Sequence, residues 1–175
     1  MKRGQLLSQP FIYIFALILG ALVLVAGFKM IMDLKETADM VEVGEFKSTI
    51  ESEAKAFYNR GEGSTKSIPI SLSGIKFVCF SNPEEKLNCK FKSKVSDEIK
   101  SCPGGLKAMN DDKPTFQLRL SKETTDNLWF LPLGTAKKDS FKINFIKPLE
   151  GANPLCYQVG SEIIIESKGT HVELR

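Results

Sequence analysis

Four cysteines, one histidine and two acidic pairs are the residues of this 175-residue chain with the most chemistry to offer. Cys79, Cys89, Cys102 and Cys156 are even in number, and no two lie at the close spacing by which cysteines clasp zinc. Disulfides are therefore expected in preference to a metal, and with them an oxidising compartment. Four cysteines allow three pairings. Cys79 and Cys89 lie in two runs joined by Ser-Asn-Pro-Glu-Glu-Lys-Leu, so a bond across that hairpin is the simplest geometry. Cys102 and Cys156 would then close a long loop, each bond contributing about 2–4 kcal/mol. His171 stands alone, with no Ser or Cys motif around it, and supplies no nucleophilic apparatus. It is expected to be exposed on an edge strand. Glu84-Glu85 and Asp111-Asp112 adjoin Pro and Lys in turn-rich stretches and lack the spacing of an EF-hand loop. Cys-Pro-Gly-Gly-Leu reads as a turn and not as a phosphate cradle. No catalytic residue, cofactor or metal site is expected, and the chain does not read as an enzyme.

The elements that position these residues begin with an apolar run. From Phe11 to Phe28 every residue is apolar or Gly, the Tyr13 hydroxyl excepted. That is the length needed to cross a hydrocarbon core of about 30 Å as a helix, and too long for a buried strand. Three of the 24 basic residues fall in the first 29 positions, and none of the 21 acidic ones does. The remaining 21 positive and 21 negative residues balance, so the downstream part has no basic face for nucleic acid. Lys2 and Arg3 precede the run and place the amino terminus on the cytoplasmic side of the lipid bilayer, with the bulk outside. A cleaved secretory leader ending at Val25-Ala26-Gly27 is the competing reading. Its apolar region would be longer than the usual 7–15 or so residues, and no Cys follows for a lipid anchor.

Lys2-Arg3-Gly4-Gln5 adds a further feature. It resembles the processing site of type IV pilin-like proteins, in particular those with archaeal class III signal peptides. The resemblance covers the amino-terminal segment alone. It implies cleavage between Gly4 and Gln5 by a prepilin-type peptidase, with the apolar helix kept as anchor and assembly stalk. It also implies self-assembly or association with other membrane-protein subunits. The family carries Glu at the fifth mature position, where this chain has Gln9 followed by Pro10. That departure bears on filament assembly more than on cleavage.

Beyond the span, Ile31, Leu34, Ala38, Val41, Phe46, Ile50, Ala54 and Phe57 recur mostly three or four apart, which predicts an amphipathic helix. Gly61 and Gly63 end it, and Gly44 is the expected place for a bend. From Ser67 the period drops to two. Ser-Ile-Pro-Ile-Ser-Leu-Ser-Gly-Ile-Lys-Phe-Val-Cys-Phe, Asn-Cys-Lys-Phe-Lys, Thr-Phe-Gln-Leu-Arg-Leu-Ser, Leu-Trp-Phe-Leu-Pro-Leu, Phe-Lys-Ile-Asn-Phe-Ile, Leu-Cys-Tyr-Gln-Val, Glu-Ile-Ile-Ile-Glu-Ser and His-Val-Glu-Leu-Arg read as strand runs. Pro69 marks an edge strand, Ser-Asp-Glu-Ile-Lys-Ser-Cys a single helical turn, and Glu-Ser-Lys-Gly-Thr-His a tight hairpin. Trp129, Phe130, Leu131 and Leu133 form the most apolar patch and read as core.

The expected fold is α+β, a long transmembrane and amphipathic helix followed by an antiparallel β-sandwich-like extracytoplasmic domain. The expected divisions are a leader at 1–9, a transmembrane helix at 10–30 and an outer helix at 31–60. A linker at 61–66 and a disulfide-bonded β domain at 67–175 follow. The function this implies is a membrane-anchored surface protein with a structural or adhesive role. Its alternatives are an anchored binding module that does not polymerise, and a secreted soluble domain.

Overall fold

The computed structural model describes residues 9–96, 98–120, 125–136 and 138–175. The Gly4–Gln5 bond lies outside them. Pro10, whose missing N–H costs little in a first turn, stands at the start of helix α1, Gln9–Tyr58. No break occurs at Gly44, because the side chains around it are held: Val43 and Phe46 are both buried. The chain divides into two compact units within this helix, at Ala38/Asp39.

In the first unit the helix is apolar on all sides from Phe11 to Phe28. Every large apolar side chain from Phe11 to Leu34 is exposed, from 46% at Leu19 to 75% at Leu24. It is long and apolar enough to cross a membrane. In the second unit only one stripe is buried: Val43, Phe46, Ile50, Ala54 and Phe57, spaced three or four apart. The expected stripe started earlier, but Ile31 and Leu34 belong to the exposed apolar segment. Val41 is exposed too, since two residues before Val43 is nearly half a turn round the helix.

Ten strands and two short helices follow among the described residues. They are β1 (Thr65–Pro69), β2 (Phe77–Phe80), β3 (Lys90–Lys92), β4 (Ile99–Ser101), α2 (Gly105–Ala108) and α3 (Thr115–Leu120). Next come β5 (Leu128–Leu131), β6 (Ser140–Phe141), β7 (Ile146–Pro148), β8 (Leu155–Gln158), β9 (Glu162–Ser167) and β10 (Val172–Leu174). One sheet has the order β1-β9-β10-β7, the other β4-β3-β8-β2-β5-β6. Neither is closed, and both are mixed: β10 runs parallel to β7, and β3 parallel to β8. The all-antiparallel expectation is corrected on this point.

Pro69 does lie on an edge strand, where its missing donor breaks no ladder. Gly169, at φ +76°, makes the β9–β10 turn, closed by Lys168 N–H donating to His171 O at 2.9 Å. Two local expectations are overturned. Thr-Phe-Gln-Leu-Arg-Leu is helix α3, because Pro114 precedes it and only Phe116 is fully buried, while Leu118 faces out. Of Ser-Asp-Glu-Ile-Lys-Ser-Cys, Asp97 lies outside the described residues, and Ile99–Ser101 forms not a helical turn but strand β4, paired with β3.

One cluster of buried side chains draws on the α1 stripe and on both sheets, including Ile163, Val172, Val78, Phe130 and Tyr157. A second lies on the other face of the six-stranded sheet, where Met109 and Phe116 pack on Cys79, Trp129, Leu131 and Cys156. Strand β5 is consequently buried on both faces, which is why Leu-Trp-Phe-Leu shows no alternation.

Candidate functional site

The four cysteines form two disulfides, Cys79–Cys156 and Cys89–Cys102. This is not the expected pairing. Cys79 and Cys156 stand directly opposite each other on the neighbouring strands β2 and β8, with Cα atoms 4.0 Å apart. A narrow antiparallel pair brings side chains closest, so the sheet order chooses the partner. Cys89 and Cys102 flank the β3–β4 hairpin, and Cys102 N–H donates to Cys89 O at 3.2 Å. Cys79 and Cys156 are wholly buried, whereas Cys89 and Cys102 are half-buried.

The remaining candidates are spent on structure. His171 lies in the β9–β10 turn, with Nδ1 3.1 Å from Thr170 Oγ1. It is half-buried, and the strand it leads into runs between β9 and β7, so the expected edge position is wrong. Asp111 and Asp112 sit in left-handed backbone, and Asp111 pairs with Lys76 at 2.7 Å. Glu85 Oε1 accepts from Asn82 Nδ2 at 2.8 Å, fixing the turn after β2. Among the described residues no cluster of His, Cys, Asp and Glu has a metal-ligating arrangement. Trp129 and Leu131 point into the second buried cluster, and the Trp129 indole donates to Ser81 Oγ at 2.9 Å.

Three features had no signal in the sequence. Asn153 is buried and binds the loop after β2 from both ends of its amide. Its Oδ1 accepts from Asn82 N–H at 2.9 Å, and its Nδ2 donates to Asn82 O at 2.7 Å and Glu85 O at 2.8 Å. The Tyr157 hydroxyl is buried in the main core without a hydrogen-bond partner, and burial pushes its pKa far up. Third, Glu166, Lys168, Glu173 and Arg175 form a four-membered ion-pair ring across β9 and β10. The hydrogen bond from Lys168 holds the Glu166 carboxyl below its ordinary value, with the Arg175 charge adding to it. The same bond raises Lys168.

One salt bridge and a pair of hydrogen bonds tie the outer segment of α1 to β1 and to the loop after it. Lys66 on β1 reaches Glu53 at 2.6 Å, and Glu42 accepts from Ser73 N–H at 2.7 Å and from its hydroxyl at 3.1 Å. Comparison with family models, with curated proteins and with solved structures found no match.

Proposed function

We propose that the chain is a single-pass membrane protein that holds its amino terminus in the cytoplasm and displays its β-rich unit outside. In this reading it serves as a structural or adhesive surface subunit of pilin-like build, with Gly4–Gln5 as the processing bond. The observation that carries the reading is the segment from Phe11 to Phe28, without a charged residue on any side and exposed throughout. Such a helix is stable only in surroundings as apolar as itself. Two disulfides in the second unit fit an oxidising exterior. The two sheets share one core cluster, and we read them as the layers of a sandwich-like head.

The test has two parts. Mass spectrometry of the native protein should find Gln5 at the amino terminus. A tag fused after Arg175 should be removed by protease added to intact cells. A shielded tag ends the display reading. An intact Met1 with an accessible tag ends the pilin-like version and leaves the anchored, non-polymerising module, which Gln9 at the fifth mature position favours.

A further inference from the structure

A groove of about 470 Å³ runs between the outward flank of α1 and the loop before β7. It is lined by Ser48, Glu51, Ser52 and Lys55 from the helix and by Asn144 and Phe145 from the loop. The volume is that of a small-molecule site. The helical residues fall at i, i+3, i+4 and i+7, and so share one face.

Phe145 sets this groove apart. Its φ is +68°, a conformation that glycine or asparagine adopts readily and that is an outlier for a bulky side chain. Asparagine is the preceding residue, yet the left-handed position falls on the aromatic one. Strain of this kind persists only where the surroundings enforce it, and it concentrates at ligand clamps. The enforcement is visible. Val172 N–H donates to Phe145 O at 2.7 Å. Asn127 holds Ile143 from both sides, donating to its carbonyl at 2.8 Å and accepting from its N–H at 2.7 Å. The ring is thereby stacked on Tyr58, centroids 4.3 Å apart and planes 30° from parallel, with Phe145 still 44% exposed.

The polar lining is open for use. Among the described residues, Ser48 Oγ, Lys55 Nζ and the Asn144 amide find no hydrogen-bond partner, and all three residues line the groove. Glu51 gives Oε2 to Lys47 and keeps Oε1 for another donor. One carboxylate and one ammonium side by side disfavour a strongly charged ligand of either sign. A fixed aromatic face ringed by hydroxyl, amide, carboxylate and ammonium groups suits a molecule with an apolar C–H face and a rim of hydroxyls. We propose that this groove binds a neutral saccharide, stacked on Phe145 and hydrogen-bonded by Ser48, Asn144, Glu51 and Lys55.

The inference depends on the display reading only for access to glycans outside the cell, and the two fail separately, because binding is read on purified protein. The full chain, in a detergent without a sugar headgroup, is titrated with cellobiose, maltose, lactose and di-N-acetylchitobiose. Binding is followed by saturation-transfer NMR and calorimetry. At least one disaccharide should bind saturably, with its ring C–H protons receiving the transfer. Phe145→Ala should weaken that binding about tenfold, the loss of one aromatic contact. Asn144→Ala should weaken it by a smaller factor, and Leu87→Ala, exposed elsewhere, should leave it unchanged. Phe145→Asn keeps a residue suited to the left-handed backbone, so a folded Phe145→Asn protein that no longer binds supports the assignment even if Phe145→Ala does not fold. Absence of saturable binding by all four sugars overturns the proposal. So does binding that survives both Phe145 substitutions.

Discussion

Removing the two disulfides one at a time should cost unequal amounts, by a difference the sheet topology fixes. Cys79–Cys156 closes a loop with a sequence separation of 77, and Cys89–Cys102 one with a separation of 13. The loop-closure entropy a cross-link removes from the unfolded chain grows with the logarithm of loop length, giving about 4.5 kcal/mol for the first bond and about 2.9 for the second. The Cys79→Ala/Cys156→Ala variant should therefore lose about 1.6 kcal/mol more than Cys89→Ala/Cys102→Ala. The void left by two sulfurs in a wholly buried cluster widens the gap further. Trp129 is the sole tryptophan, buried in that same cluster, so its emission reports unfolding of the second unit. Urea titration of the full chain in detergent micelles gives both free energies. Burial adds an independent ordering. Under mild reductant the half-buried Cys89–Cys102 bond should open first and Cys79–Cys156 only on unfolding, which timed alkylation with mass spectrometry resolves. Equal losses, or a larger loss from the short loop, would refute the reasoning.

Two further predictions concern the groups the core and the last hairpin leave exposed to test. Tyr157→Phe removes a buried hydroxyl that has no partner, a group whose burial costs about 1–3 kcal/mol, so the urea midpoint should rise; a clear fall would show that the hydroxyl is bonded. Glu166 is more acidic folded than unfolded, so its contribution is complete above the ordinary carboxylate value of 4.5 and is lost as pH falls through the lower folded value. Lys168 is shifted upward, so its contribution is complete below 10.5 and is lost as pH rises past that value. The urea midpoint should respond at both extremes, and Glu166→Gln should flatten both limbs, since the hydrogen bond between the two is the first cause of each shift. An acid limb that persists unchanged in Glu166→Gln would exclude this pair as its source.

The parts of the fold legible in the sequence are those encoded locally. The run from Phe11 to Phe28 declares by its length and composition a helix able to cross a membrane. Phe46, Ile50, Ala54 and Phe57 give their face by spacing, and Pro69 gives its edge by a missing donor. Glu-Ser-Lys-Gly-Thr-His gives the hairpin through the one residue that accepts a positive φ freely. What was misread depended on partners far away in the chain. The period-two pattern of Thr-Phe-Gln-Leu-Arg-Leu fits a strand as well as a short helix, and only the cover that Phe116 makes over Trp129 decides between them. The cysteine pairing failed for the same reason. Loop length favours Cys79 with Cys89, but β2 lies beside β8, and no local pattern announces that adjacency. The groove at Phe145 is further still from the sequence, because its defining feature is a backbone angle.

The adjacency of β2 and β8 also makes the fold depend on redox conditions. These are short strands, four residues each, joined across most of the second unit's length. Pairings between residues so distant in sequence give up loop entropy before any contact repays it. Here the repayment is concentrated at one point, since Cys79 and Cys156 sit in the middle of the ladder they lock. A reducing compartment would withdraw the largest single constraint on the unfolded chain and leave two thiols in an apolar cluster. The same central strands contribute Val78, Phe80, Leu155 and Tyr157 to the core that receives the α1 stripe. Losing the ladder would therefore expose Phe46, Ile50 and Phe57 on a helix already apolar upstream. On this reasoning the anchor and the disulfides form one dependency. If the chain is displayed as proposed, the apolar segment would support delivery to the oxidising side, and oxidation there would complete the core that covers the rest of that helix.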